Sequence, residues 1–146
     1  MSIVYVNIGS NLGNSRMLIE TAIDRIGTTF GIYCKSGYVE SEPWGYDSAN
    51  RFLNVAISFR SEEEPEQILT KLQEIEKSIS GRSHRDASGG YADREIDIDI
   101  MAIDEIVYET DFLQVPHRHL LERDFFMIPF KEIAPWWKYP EKIVNS

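Results

Sequence analysis

Apolar residues recur along this chain with two different periods, and the points where the period changes mark its elements. Val4, Val6 and Ile8 alternate with Tyr5 and Asn7, the period of a half-buried strand. After the turn Gly9-Ser10-Asn11-Leu12-Gly13-Asn14, residues Leu18, Ile19, Ala22, Ile23 and Ile26 fall at helical spacing. They predict a helix from about Asn14 to Thr28, capped by Asn14 or Ser15 and closed by Gly31. Ile32 to Ser41 can be extended again, and Glu42-Pro43-Trp44-Gly45-Tyr46-Asp47-Ser48-Ala49-Asn50 reads as a loop. Along the strand Phe52 to Phe59, residues Leu53, Val55, Ile57 and Phe59 make one apolar face, which assigns Phe52, Asn54, Ala56 and Ser58 to the other. Pro65 suits the first turn of a second helix whose buried stripe is Ile68, Leu72, Ile75 and Ile79; Gln73 and Glu76 share a different face. Residues 82–93 are polar and aperiodic, a loop. Then Ile96, Ile98 and Ile100 alternate with Glu95, Asp97 and Asp99. A short strand near Ile106 to Tyr108, a Pro116-His117 turn and an aromatic tail around Phe125, Phe126, Trp136 and Trp137 complete the chain.

Strand, helix, strand, strand, helix, strand is the order of the split βαβ, or ferredoxin-like, α+β sandwich. The expected architecture is a four-stranded antiparallel sheet with helices on one face and a C-terminal extension. Two helices cannot cover both faces, so the second is left for ligands. Asn54, Phe52 and the Asp97/Asp99 pair all fall on that second face. With 146 residues, one domain spanning 1–146 is expected.

Composition narrows the function. No apolar run approaches the roughly 18 residues needed to cross a bilayer, and the first residues read as a strand, so the expected address is cytoplasmic. Cys34 has no cysteine companion for a disulfide or a metal site and reads as a strand residue. A formal charge of −9 opposes binding to nucleic acid or to an anionic membrane. A polyanionic small molecule is compatible with this charge only where cations are gathered locally or supplied as metal.

That condition is met around Asp97-Ile98-Asp99, two carboxylates on one side of a strand, roughly 6.5 to 7 Å apart at their Cα atoms. Such a pair can face solvent and make ion pairs, or it can hold a hard cation such as Mg²⁺ whose octahedron is completed by phosphate oxygens. Arg82, Arg85 and Arg94 precede it, and Arg118 and Arg123 follow the Pro116-His117 turn, a supply of guanidinium groups suited to forking around phosphates. Singly, each arginine is equally explained as a surface ion-pair partner. Trp44, Tyr46, Tyr91 and Phe125 lie in segments read as loops or tail, where they can pack locally or sandwich a flat heterocycle. Asn54 can pair with the edge of such a ring.

These residues stand in blocks that resemble the 6-hydroxymethyl-7,8-dihydropterin pyrophosphokinases of folate biosynthesis. The blocks are Ile8-Gly9-Ser10-Asn11-Leu12-Gly13, Phe52-Leu53-Asn54, Gln73-Glu74-Ile75-Glu76 with Gly81-Arg82, Arg94-Glu95-Ile96-Asp97-Ile98-Asp99-Ile100-Met101, Val115-Pro116-His117 and Arg123 with Phe125-Phe126-Met127. The likeness continues from Pro129 through Glu132-Ile133-Ala134-Pro135. It implies an enzyme that moves the β,γ-diphosphate of ATP to the hydroxymethyl group of a reduced pterin and releases AMP. It further implies that Asp97 and Asp99 hold two Mg²⁺ ions and that Arg82 and Arg94 close over the phosphates. Gln73, Ile100, His117, Arg118 and Arg123 would line the ATP site. Ser41, Trp44, Phe52, Asn54, Tyr91 and Phe125 would form the pterin pocket, with Trp44 and Phe125 stacking on the ring. Glu76 would either orient a site arginine or serve helix packing. Closure of the loops 42–50 and 82–93 would exclude water. The chain departs from the family pattern at Tyr91, where Trp is familiar, at Glu42, where Pro is familiar, and at Asp93, an acid beside Arg94. The expectation is a monomeric, Mg²⁺- and ATP-dependent enzyme. Another phosphoryl or nucleotidyl transferase that uses the D-x-D pair on a ferredoxin-like sheet and a non-catalytic small-molecule-binding module are its rivals.

Overall fold

A computed structural model describes residues 1–12, 14–42, 51–80 and 95–140. Its elements are β1 (Ser2–Ser10), α1 (Ser15–Phe30), β2 (Cys34–Lys35), β3 (Val39–Ser41), β4 (Phe52–Ser61), α2 (Pro65–Ser80) and β5 (Asp97–Ile103). The short pair β6 (Tyr108–Glu109) and β7 (Gln114–Val115) and the helix α3 (Asp124–Ile133) follow.

The main sheet runs β2-β4-β1-β5, with β3 also on β4, so β2 and β3 share one lateral position. All pairings are antiparallel, the ferredoxin-like order that the alternation of elements predicts. Local signals act as expected. The Asn14 side chain accepts from the Met17 N–H at 3.2 Å and caps α1, and Gly31, at φ 81°, terminates it. Pro65 opens α2.

Val4, Val6 and Ile8 of β1, Val55, Ile57 and Phe59 of β4 and Ile98, Ile100 and Ile103 of β5 pack with Ile19, Ala22 and Ile26 of α1 and Ile68, Leu72 and Ile75 of α2. Burying a side chain of this size stabilises the fold by about 1.5–3 kcal/mol, which is why the strands keep this face toward the helices.

The pattern did not predict that α3 covers part of the opposite face. Tyr5, Ala56, Met101 and Ala102 pack there with Leu120, Phe126, Phe130 and Ile133, and the Tyr5 and Phe130 rings stack at 4.9 Å. The two helices read from the pattern cover the first face as expected, and a third, in the C-terminal extension, covers part of the second. A register shift in the β1/β5 pairing assists, because Tyr5 faces Ala102 and Val6 faces Ile100, leaving Met101 as the extra residue of a bulge. Met101 and Ala102 can thus both join the α3 cluster. Among the described residues no helix is long and apolar enough to cross a membrane.

Candidate active site

The part of the second face that α3 leaves is laid out by strand register. Gly9 is paired with Asp97 on one side and Asn54 on the other, while Asn7 lies between Asp99 and Ala56. Two rows therefore cross the sheet, each beginning with a carboxylate at the β5 edge. Adjacent strands are about 4.8 Å apart, so Asp97 and Asn54 are separated by roughly 10 Å with only a glycine between them. Asp97 and Asp99 are half-buried, whereas Ile98 and Ile100 point into the core beneath α1 and α2.

The glycine is required. A Cβ on Gly9 would stand 2.9 Å from Asn54 Oδ1 and 3.6 Å from the Phe52 ring. Asn54 is fully buried and cannot easily yield, because its Nδ2 donates to Ser41 Oγ at 2.9 Å and approaches the Val39 carbonyl at 3.5 Å. With the donor end engaged, the Oδ1 end lies over Gly9, an acceptor for an N–H at the edge of a flat ring. Ser41, Phe52 and Asn54 thus form one contiguous group.

Phe125 completes this side from α3. It is half-buried and meets Phe126 edge-on at 4.9 Å, and its backbone carbonyl accepts from Asn7 Nδ2 at 3.0 Å. The Arg123 guanidinium lies 5.5 Å from the Phe125 ring centroid and 4.9 Å from that of Phe126. Arg123 is 2% exposed, so it acts within the wall of the site, its charge favoured by the ring faces.

His117 follows the cis Val115–Pro116 bond, and its N–H donates to the Met101 carbonyl at 2.8 Å, which ties the turn to β5. Its Nδ1 accepts from the His119 N–H at 3.1 Å, so a neutral ring carries its proton on Nε2. Burial, and after it the Arg123 charge, lowers its pKa to about 4. His119 pairs with Glu122 at 2.7 Å. Arg118 is exposed.

Two contacts fix the carboxylate strand from outside the face. Glu76 Oε2 accepts from the Ile98 N–H at 2.7 Å, and the buried Ser10 hydroxyl donates to the Glu95 carbonyl just before the strand begins. Gln73, one turn before Glu76, is exposed on α2. The Ile100 side chain belongs to the core, so whatever Ile100 offers a ligand comes from its main chain. Trp44, Arg82, His84, Arg85, Tyr91 and Arg94, with the loops 43–50 and 81–94 that carry them, lie outside the described residues.

Sequence reasoning missed Asn7, Ser10 and the covering role of α3. Asn7 carried a usable signal, since it shares strand parity with Gly9 and Tyr5 and had to face away from the α1/α2 core.

The donor set at Asp97 and Asp99 is all oxygen and half-exposed, which suits a hard divalent cation. Among the described residues no group of three His, Cys, Asp or Glu side chains could enclose an ion. Of the described residues, these two carboxylates would supply part of an octahedron, and Mg²⁺ commonly takes other positions from substrate oxygens and water.

The chain is 39% identical over 140 residues to a 2-amino-4-hydroxy-6-hydroxymethyldihydropteridine pyrophosphokinase of Porphyromonas gingivalis, covering 93% of each. It is 37% identical over 135 residues to the Aquifex aeolicus protein of the same name, covering 92% of this chain and 82% of that one. Its fold matches a crystal structure of Plasmodium falciparum HPPK-DHPS with a TM-score of 0.73 at 12% identity, covering 99% of this chain and 42% of that one. The chain thus spans about two fifths of that larger protein. The family model described as 7,8-dihydro-6-hydroxymethylpterin-pyrophosphokinase matches residues 5–135, and the chain belongs to that family.

Proposed function

We propose that the face bearing Asp97, Asp99, Asn54, Phe52 and Phe125 is where this chain carries out its family's reaction, transfer of diphosphate from ATP to the hydroxymethyl group of 6-hydroxymethyl-7,8-dihydropterin. The carrying observation is the row Asp97, Gly9, Asn54: a carboxylate edge for a cation and a buried amide for a heterocycle, with an open floor between them.

In this reaction the pterin hydroxyl oxygen bonds to the β-phosphorus, the bond from that phosphorus to the oxygen bridging to the α-phosphate breaks, AMP leaves with the electron pair, and the hydroxyl proton is released. Such a transfer asks the protein chiefly for positioning and charge compensation. Asn54, held by Ser41, offers the pterin edge an acceptor, and Phe52 and Phe125 supply apolar walls. Asp97 and Asp99 would hold two Mg²⁺ ions, which when bound neutralise and orient the triphosphate. His117, neutral with its proton on Nε2, can donate to a phosphate oxygen. Arg118 from its exposed position, Arg123 from within the wall, and Gln73 and the Ile100 main chain at the β5 edge are assigned to the nucleotide side. Trp44 and Tyr91 on the pterin side and Arg82 and Arg94 on the phosphates enter from the sequence resemblance alone. Dependence on ATP fits a cytoplasmic setting, the charge of −9 favours a monomer, and 146 residues suit one domain.

The test is the nucleotide product when protein, ATP, Mg²⁺ and the reduced pterin alcohol are mixed. AMP with pterin diphosphate is expected. ADP would make the protein an ordinary kinase, and ligand binding without turnover would make it a binding module.

A further inference from the structure

Asn7 is a polar residue at the centre of the sheet, only 2% exposed, with Asp99 and Ala56 as its cross-strand neighbours. A buried amide is costly unless hydrogen-bonded. Its Nδ2 bonds the backbone carbonyl of Phe125, 118 residues away, at 3.0 Å. A carbonyl only accepts, so the amide nitrogen must be the end facing it.

The choice of carbonyl is informative. In an α-helix the carbonyl of residue 125 accepts from the N–H of residue 129. Position 129 is proline, inside α3, and has no N–H; its ring also pushes aside the carbonyl four residues earlier. Phe125 therefore has a carbonyl that its own helix cannot satisfy, and Asn7 supplies the missing donor from the sheet. Tyr5, two residues earlier on the same face, stacks on Phe130. Strand β1 thus grips α3 at both ends, through ring stacking near the C-terminus and an amide in the first turn.

We propose that Asn7 is a positioning residue: by completing α3 where Pro129 interrupts it, Asn7 sets the place of Phe125 as a wall of the pterin pocket, beside the row that begins at Asp99. This rests on the reaction assigned above and adds a determinant of pterin affinity that does not contact the nucleotide.

The experiment measures binding of 6-hydroxymethyl-7,8-dihydropterin by titration with saturating Mg²⁺ and a non-hydrolysable ATP analogue, and separately binding of the analogue. Asn7→Ala, and the near-isosteric Asn7→Asp, which keeps the volume but cannot donate, should each weaken pterin binding about three- to tenfold, the range of one lost hydrogen bond. Asn7→Ala should leave analogue binding unchanged. Its effect should also vanish in a Phe125→Ala background, since a residue acting through Phe125 has nothing left to position. Unchanged pterin affinity in both Asn7 variants would overturn the proposal, as would effects that add in full to Phe125→Ala or that fall equally on both ligands. If the unaltered protein binds no reduced pterin, the reaction assigned above fails and this inference with it. Intact binding in the unaltered protein with indifferent Asn7 variants removes this inference alone.

Discussion

The carboxylate of Glu76 on α2 accepts a hydrogen bond from the backbone N–H of Ile98 at 2.7 Å, at the residue that separates Asp97 from Asp99. Strand β5 lies at the edge of the sheet and has β1 on one side only, so its outward N–H groups need partners. A charged acceptor here is worth about 1.5–3 kcal/mol and holds the strand in the pleat that keeps both aspartates on one face. Glu76→Ala should therefore raise the Mg²⁺ concentration for half-maximal activity and accelerate exchange of the Ile98 amide. Glu76→Gln, which retains an acceptor oxygen, should recover most of both. Equal defects in the two variants would show that the charge, and not this bond, is what matters.

Gly9→Ala tests the floor of the site. Its methyl would sit 2.9 Å from Asn54 Oδ1, and Asn54 can retreat only by giving up its bond to Ser41. A cost of about 1–3 kcal/mol in stability is expected, together with weaker pterin binding. Adding Asn54→Ala should restore part of the stability by making room, and none of the affinity. Thermal unfolding of the single and double variants, beside pterin titrations, separates the two effects.

The face of each long strand was legible from alternation alone: Val4, Val6 and Ile8 inward, Asp97 and Asp99 outward, Asn54 opposite Val55. So were α1 and α2, whose stripes need no tertiary information. The third helix was not, for a physical reason. Pro129 inside Asp124–Ile133 reads as a breaker, and only contact with Tyr5, Ala56 and Ala102, and the amide of Asn7, makes a helix viable there. Nor could sequence disclose that Arg123 is enclosed by aromatic rings, since arginine is usually a surface residue. The bulge at Met101 depends on register, which no single strand carries.

The depressed pKa of His117, about 4 against 6.5 for a free imidazole, gives a pH prediction of definite sign. Burial, and then Arg123, penalise protonation in the folded state. Above pH 6.5 the ring is neutral in folded and unfolded chains alike, so its contribution does not vary. As pH falls from about 6.5 toward 4, the unfolded chain takes up a proton that the folded one refuses, and stability declines by up to about 3 kcal/mol. Below pH 4 both forms are charged and the decline from this group ends. Denaturant unfolding at pH 7 and pH 5 should show a smaller loss for His117→Gln than for the unaltered protein. The imidazole resonance of His117 should not titrate above pH 5.

Asp97→Ala and Asp99→Ala bear most directly on the reaction. Each removes one of two neighbouring half-buried carboxylates that repel each other, so thermal stability should hold or rise slightly. Each also removes one of the two carboxylates proposed to hold a cation, and AMP formation should fall by about two or more orders of magnitude. A structural salt bridge would give the opposite pairing, with lowered stability and little change in rate. Binding of Mg²⁺ with the ATP analogue, measured calorimetrically, distinguishes them independently of turnover. Loss of Mg²⁺-dependent binding in both variants, with unfolding midpoints unchanged, is the expected result. Near-normal rates in both would remove the metal-holding role from this pair.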